Sequence, residues 1–257
     1  MQELSSRSNP TIQAAKSLQT AKGREAMGAF LLDGEHMVSE ALAICPDKIR
    51  QLFVTADKAE QFASLLAKAE GSEIFSVPQH VLEAISQVKT PQGIAAVCEL
   101  PPDRAIEEMG DKLLLLENVQ DPGNVGTIMR TLDAAGFDGV IMTRGCADPY
   151  SPKVLRATMG SIFRVQITRC EAALSAMEQL HASGYDTVAT ALGGEPFYER
   201  TALAGRICVL IGNEGAGLSS RVISAAKRSY SLPMRGGAES LNAGIAAAVV
   251  MYDLMNR

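Results

Sequence analysis

The stretch that most constrains this chain is Val209-Leu-Ile-Gly-Asn-Glu-Gly-Ala-Gly-Leu218. An apolar run the length of a buried strand stops there at a loop holding three glycines and one acid. Glycines let a ligand, or another piece of backbone, come closer than any Cβ allows. A second anchor, Ser231-Leu-Pro-Met-Arg-Gly-Gly-Ala-Glu-Ser-Leu-Asn-Ala243, opens into a run from Gly244 to Asp253 that is apolar on nearly every face. As a helix, that run is buried inside its domain or against a partner subunit. Ser240 and Asn242 stand where a helix N-terminus presents free N–H groups.

Two familiar phosphate motifs fail on these residues. Gly212 and Gly217 have P-loop spacing, but Leu218 and Ser219 occupy the places of the required Lys and Ser/Thr. A dinucleotide fingerprint begun at Gly215-Ala-Gly217 meets Ser220 where its third glycine belongs. A glycine-rich loop with an acid and few bases suits a ligand with a positive or neutral centre better than a polyphosphate.

Ile211-Gly-Asn-Glu-Gly-Ala-Gly-Leu218 and Leu232-Pro-Met-Arg-Gly-Gly-Ala-Glu-Ser-Leu-Asn242 resemble the second and third motifs of the SpoU/TrmH-type RNA ribose 2′-O-methyltransferases. Upstream, Asp121-Pro-Gly-Asn-Val-Gly-Thr-Ile-Met-Arg-Thr-Leu-Asp-Ala-Ala-Gly136 resembles the first. Three blocks in the right order are far more specific than any one of them. The resemblance covers residues 112 to 257 strongly and 20 to 100 more loosely. Asp121 stands where many members have Asn, and Gly244 where branched residues are common, but neither touches the polar positions that matter most.

The rest of the chain fits a two-part α/β protein. With 257 residues, 47% apolar and 21% charged, the composition is that of an ordinary globular protein with ample core. No apolar run reaches transmembrane length, and the polar start Met1 to Pro10 does not read as a signal peptide. Cys45, Cys98, Cys146, Cys170 and Cys208 are scattered and never form a C-x-x-C pair, and His36, His80 and His181 show no ligand spacing. Reduced thiols in a cytoplasm, and no metal, are expected. The net charge of −5 is mild testimony against nucleic-acid binding, although a local basic patch can act where the total does not.

We expect an extension over 1–19, a small α/β unit over 20–100, a linker over 101–110 and a second α/β domain over 111–257. In the first unit, strands at Phe30–Asp33, Ile49–Thr55, Ile74–Val77 and Gly93–Leu100 alternate with helices at Glu35–Cys45, Lys58–Glu70 and Gln79–Val88. Such alternation suggests a mainly parallel sheet covered on both faces. Ala21 to Glu35 resembles the start of the ribosomal-protein-like, RNA-binding substrate domain found ahead of many of these methyltransferases. In the second, we read five or so parallel strands, beginning at Lys112–Glu117, with helices between them. A turn-rich loop is expected over Asn118–Gly126 and a helix over Thr127–Ala135.

The resemblance also implies a function: transfer of a methyl group from S-adenosylmethionine to a ribose 2′-OH in structured RNA, ribosomal or transfer. It implies a mainly parallel C-terminal sheet with helices on both faces, a deep trefoil knot of the SPOUT type around residues 210 to 244, and a homodimer. The all-round apolar helix after Asn242 agrees with a dimer, because its outer face also wants a partner. Carried over by motif position, Asn124, Arg130, Glu214, Ser240 and Asn242 are the catalytic candidates. Thr190, Ala191, Ile211, Gly212, Glu214, Gly217, Leu232, Met234 and Leu241 are the cofactor contacts. For RNA we expect Lys22, Arg24, Arg130, Lys153 and Arg156, the last two sharing a helix face at a spacing of three. A guanidinium stays protonated, so Arg130 is suited to holding a phosphate and offsetting oxyanion charge. Other readings of the same motifs are a catalytically inert RNA-binding protein and a knotted methyltransferase acting on an RNA base.

Overall fold

Leu113, Leu114, Leu115 and Leu116 are all fully buried, which a strand achieves only when both faces of its sheet are covered. The computed structural model describes residues 1–88 and 90–255. By their contacts these form two units, residues 1–101 with 148–163, and residues 102–147 with 164 onward. The segment Asp148–Phe163, read from sequence with the second domain, is thus grouped with the first.

In chain order the elements are β1 (Gln2–Glu3), α1 (Pro10–Ser17), α2 (Ala21–Met27), β2 (Ala29–Asp33), α3 (Glu35–Ile44), β3 (Ile49–Thr55), α4 (Ala63–Leu66), β4 (Glu73–Val77), α5 (Gln79–Ile85) and β5 (Ile94–Glu99). There follow β6 (Lys112–Leu116), α6 (Pro122–Ala134), β7 (Gly139–Thr143), α7 (Pro152–Thr158), β8 (Gln166–Cys170), α8 (Ala173–Ala182), β9 (Asp186–Pro196), β10 (Ile207–Ile211), α9 (Ser220–Ala225), β11 (Arg228–Ser231) and α10 (Ala243–Met255).

The first unit holds a five-stranded sheet in the order β1-β4-β3-β5-β2. It is mixed, which corrects the expectation of a mainly parallel sheet: β5 runs antiparallel to both β3 and β2, while β1, β4 and β3 are parallel. Alternation alone does not tell direction. The seven-residue α5 spans only about 10 Å, and the loop after it returns the chain to the end of the sheet it left, where Ile94 pairs with Val54. The helix expected over Lys58–Glu70 is reduced to the four residues of α4, with no side-chain cap at its start. Conversely, α1 lies in what was read as an extension; Asn9 caps it, Pro10 starts it, and Ile12 and Ala15 are buried.

The second unit is a six-stranded sheet in the order β11-β9-β10-β6-β7-β8, with every neighbouring pair parallel. One face packs Leu113, Leu115, Ile141 and Leu210 against Met177 and Leu180 of α8 and Val222 of α9. The residues of opposite parity, Leu114, Leu116 and Val209, are equally buried. Helices α6 and α10, which pack on each other and bury Ile128, Met129, Ala247 and Met251, cover that side. Helices therefore lie on both faces.

The sixth strand, β11, is too short and polar to read from sequence. Its partner β9 continues to Pro196, past a register shift at Ser229/Tyr230. Gly194 is required there, because a Cβ would sit 2.6 Å from the Tyr230 nitrogen. Helix α6 begins at Pro122, five residues before the expected Thr127. The Asp121 carboxylate accepts from the Asn124 N–H at 2.9 Å, and Pro122 needs no donor in the first turn. Gly123 and Gly126, taken as loop signals, are inside the helix. Central strands β10 and β6 finish together, Ile211 opposite Leu116, so the loops after them emerge side by side. Ligand crevices of open parallel sheets lie at that edge.

Candidate active site

A cavity of about 410 Å³ opens at this edge, lined by Ile223 and by residues from 190–193, 211–218 and 230–246. All nine expected cofactor contacts line it: Thr190, Ala191, Ile211, Gly212, Glu214, Gly217, Leu232, Met234 and Leu241, together with Ser240. The size falls among small-molecule sites, which run from roughly 300 to 1,000 Å³. Its walls combine aliphatic side chains with one carboxylate, a donor set that fits a flat heterocycle and a positively charged sulfonium. The Thr190 hydroxyl donates to the Leu210 carbonyl at 2.8 Å, tying β9 to β10 at the rim.

The carboxylate is held by the first motif. Glu214 accepts from the Asp121 N–H and the Asn124 amide, both at 2.9 Å, and from the Gln120 N–H at 3.2 Å. Partial burial alone would raise its pKa, but these hydrogen bonds outweigh burial and hold it below the ordinary carboxylate value. Asn124 in turn accepts from the Asn242 amide at 2.8 Å, and the Asn242 oxygen accepts from the Gly244 N–H at 2.9 Å, capping α10. Glu214, Asn124 and Asn242, one from each motif, thus form a single chain of hydrogen bonds. Asn124 is buried within it.

Gly212 has a reason different from ligand access. A Cβ on it would lie 2.1 Å from the Gly217 carbonyl carbon and the Leu218 nitrogen, so the loop folds its own backbone onto this position. Asn213 and Gly217 exchange backbone hydrogen bonds, and the Asn213 side chain accepts from Gly215 and Ala216 and donates to the Asn118 carbonyl at 2.8 Å. Sequence reasoning passed over Asn213, as it did Tyr230, Leu192 and Gly193 in the lining. Asn213 stood inside a quoted motif, so its signal was available. The others depend on β9 running past Ala191, which its glycine pair conceals.

Arg130 is not in the cavity. It is exposed on α6, and no hydrogen bond or ion pair holds it among the described residues. It stands six positions along from Asn124, about 120° away around the helix. Lys22, Lys153 and Arg156 are exposed on α2 and α7, which both pack beside β2 in the first unit. Arg24 is a correction. It is buried, donates to Asp148 at 3.0 Å from Nε and to the Leu18 carbonyl at 2.8 Å, and so serves the core rather than an RNA phosphate. Among the described residues no group of three or more His, Cys, Asp or Glu is placed to hold a metal, and no helix is long and apolar enough to cross a membrane.

The sequence matches the SpoU rRNA Methylase family over residues 111–252 and the MRM3-like substrate binding domain over residues 9–96. A relative from Bacillus subtilis, the 23S rRNA (guanosine(2553)-2′-O)-methyltransferase RlmP, is 34% identical over 254 residues, 99% of either chain. The AdoMet-bound rRNA methyltransferase from Sinorhizobium meliloti superposes with a TM-score of 0.87 at 30% identity, over 99% of this chain and 97% of that one. The SpoU methyltransferase AviRb from Streptomyces viridochromogenes, in complex with AdoMet, gives 0.85 at 28% identity, over 96% and 97%.

Proposed function

Because the chain belongs to the SpoU rRNA methylase family, we propose that it methylates the ribose 2′-OH of a guanosine in large-subunit ribosomal RNA. The observation that carries this reading is the cavity at the end of β10 and along the middle of β9, where segments far apart in sequence converge around Glu214, whose carboxyl is held below its ordinary pKa. The guanosine and the ribosomal substrate rest on the full-length similarity to RlmP.

S-adenosylmethionine, when bound, supplies the methyl group. Leu232, Met234, Leu241, Ile211 and Ala191 would give its adenosine an apolar bed, and the backbone around Gly212 and Gly217 would offer it hydrogen-bonding groups. Glu214 would set negative charge in the pocket against a sulfonium, and its hydrogen bonds from Asn124 and Asp121 favour the ionised carboxylate. Asn242 fixes Asn124 and caps α10, so the three motifs hold one geometry before any ligand arrives. Such pre-alignment of nucleophile and methyl carbon is worth several kcal/mol, up to about 7–11 in well-oriented systems. Arg130 binds an RNA phosphate and offsets charge growing on the attacking ribose oxygen.

The functional unit is a homodimer. Ile245, Tyr252 and Met255 of α10 are 50%, 43% and 40% exposed, an apolar face that a second copy would cover. Arg130 lies on α6, packed against α10, so pairing across these helices carries one protomer's Arg130 toward its partner's cavity. The threading of residues around 210 to 244 into a trefoil knot and a cytoplasmic location belong to the same proposal. Five free cysteines support the latter.

Calorimetry with S-adenosylmethionine, followed by nuclease digestion and mass spectrometry of methylated ribosomal RNA, tests the proposal. The expected result is saturable cofactor binding and a ribose-borne methyl group on guanosine. No heat of binding would point to an inert RNA-binding protein, and a base-borne methyl group to chemistry on a ring nitrogen.

A further inference from the structure

The loop of residues 212–218 lines the cavity along its whole length, and both of its ends are tied to one residue that lies outside the lining. That residue, Glu117, follows β6, where Leu116 stands opposite Ile211 at the end of β10. Its N–H donates to the Ile211 carbonyl at 2.9 Å, just before the loop begins. Its carboxylate accepts from the Ser219 N–H and from the Ser219 hydroxyl, each at 2.8 Å, just after the loop ends.

The two ties differ in kind. The bond to Ile211 continues the pairing of β6 with β10 and is made by backbone alone, so any residue but proline at position 117 keeps it. The bonds to Ser219 need a carboxylate at the end of a glutamate stem. Their surroundings also give less support. The first half of the loop is fastened by the backbone exchange between Asn213 and Gly217 and by the Asn213 amide on the Asn118 carbonyl at 2.8 Å. Beyond Gly217, which turns at φ 68°, Leu218 is held by apolar packing, a contact without direction. The Ser219 cap of α9 is long, its hydroxyl accepting from the Val222 N–H at 3.4 Å. The short, directional contacts at this end of the loop are therefore those from Glu117. From Ser219 the chain enters α9, which places Ile223 in the cavity wall. A shift at Ser219 moves residues 215–218 before it and Ile223 after it.

Glu117 is partly exposed and Ser219 is exposed, so the tie between them opens locally rather than with the whole domain. Its consequence falls on the cavity, because a wall ordered in advance removes the ordering penalty from binding. We infer that Glu117 is a positioning residue for methyl transfer: acting through Ser219, it holds residues 215–218 and Ile223 in the arrangement that accepts S-adenosylmethionine. The inference rests on the reading that this cavity is the cofactor site.

The test measures S-adenosylmethionine affinity by calorimetry, and melting temperature beside it, in the full chain and in Glu117→Ala, Glu117→Gln, Ser219→Ala and the double variant Glu117→Ala/Ser219→Ala. Glu117→Ala should weaken cofactor affinity about tenfold. Glu117→Gln keeps an acceptor for the Ser219 N–H and a donor for its hydroxyl, and should restore affinity to within about threefold of wild type. The losses in Glu117→Ala and Ser219→Ala should fail to multiply in the double variant, because both break the same tie. A lowered melting temperature with unchanged cofactor affinity makes Glu117 merely structural and overturns the inference, as do losses that multiply fully. If Glu117→Ala does not fold, Ser219→Ala decides: weakened affinity supports the inference and unchanged affinity overturns it. A wild-type chain that binds no S-adenosylmethionine overturns the cofactor reading as well, whereas unchanged variants of a wild type that binds it overturn the role of Glu117 alone.

Discussion

Asn124→Ala removes the link between the three motifs, and its consequences follow from the geometry. The substitution deletes the 2.9 Å donor to Glu214 and the 2.8 Å acceptor for Asn242. A hydrogen bond to a charged group contributes about 1.5–3 kcal/mol and a neutral one about 0.5–1.5. Glu214 is exposed, which places the loss near the low end of the sum, at about 2 kcal/mol. At roughly 2–4 °C per kcal/mol for a protein of this size, the melting temperature falls by about 4–8 °C at neutral pH. The pH dependence has a definite sign. Glu214 has a depressed folded pKa, so its contribution is present above the unfolded value and is lost as pH falls through the folded one. The gap between wild type and Asn124→Ala should therefore narrow as pH drops through the carboxylate range. Scanning calorimetry at several pH values measures it. Equal melting temperatures at neutral pH, or a gap that persists undiminished in acid, would refute the account of a carboxylate held ionised by Asn124.

Other substitutions separate the remaining roles. Arg130→Ala should lower kcat by about 10²–10³, the cost of removing one charge-stabilising donor, while calorimetry shows cofactor affinity near wild type. Gly212→Val should cost at least about 1–3 kcal/mol and abolish cofactor binding, because its Cβ would strike backbone that no rotamer can move; circular dichroism melts and calorimetry read both. Arg24→Ala strands Asp148, whose side chain is 31% exposed, and should lower stability by about 2–3 kcal/mol in a denaturant titration, less than the 3–5 of a fully buried pair.

What the sequence determined is what local chemistry can write. The leucines of β6, the run Ile207–Ile211 and the glycines after it announced buried strands ending in a loop, and β6 and β10 do pair in parallel inside a six-stranded sheet. The second and third motifs already held Ile211, Gly212, Glu214, Gly217, Leu232, Met234, Ser240 and Leu241, all of which line the cavity, whereas no residue of the first motif does. Local signals misled in two places: the Asp121 cap turned two loop-like glycines into helix, and the missing Cβ of Gly194 let distant β11 approach β9.

What only the tertiary structure decided are relations between distant residues. That Asn124, Glu214 and Asn242 bond to one another, that Gly212 makes room for backbone rather than ligand, and that Arg24 turns inward to Asp148 are matters of contact. So is the mixed direction of the first sheet, since an alternating pattern records burial and not the path of the return. A periodicity reports which side of an element is dry, and only the packed chain says what dries it.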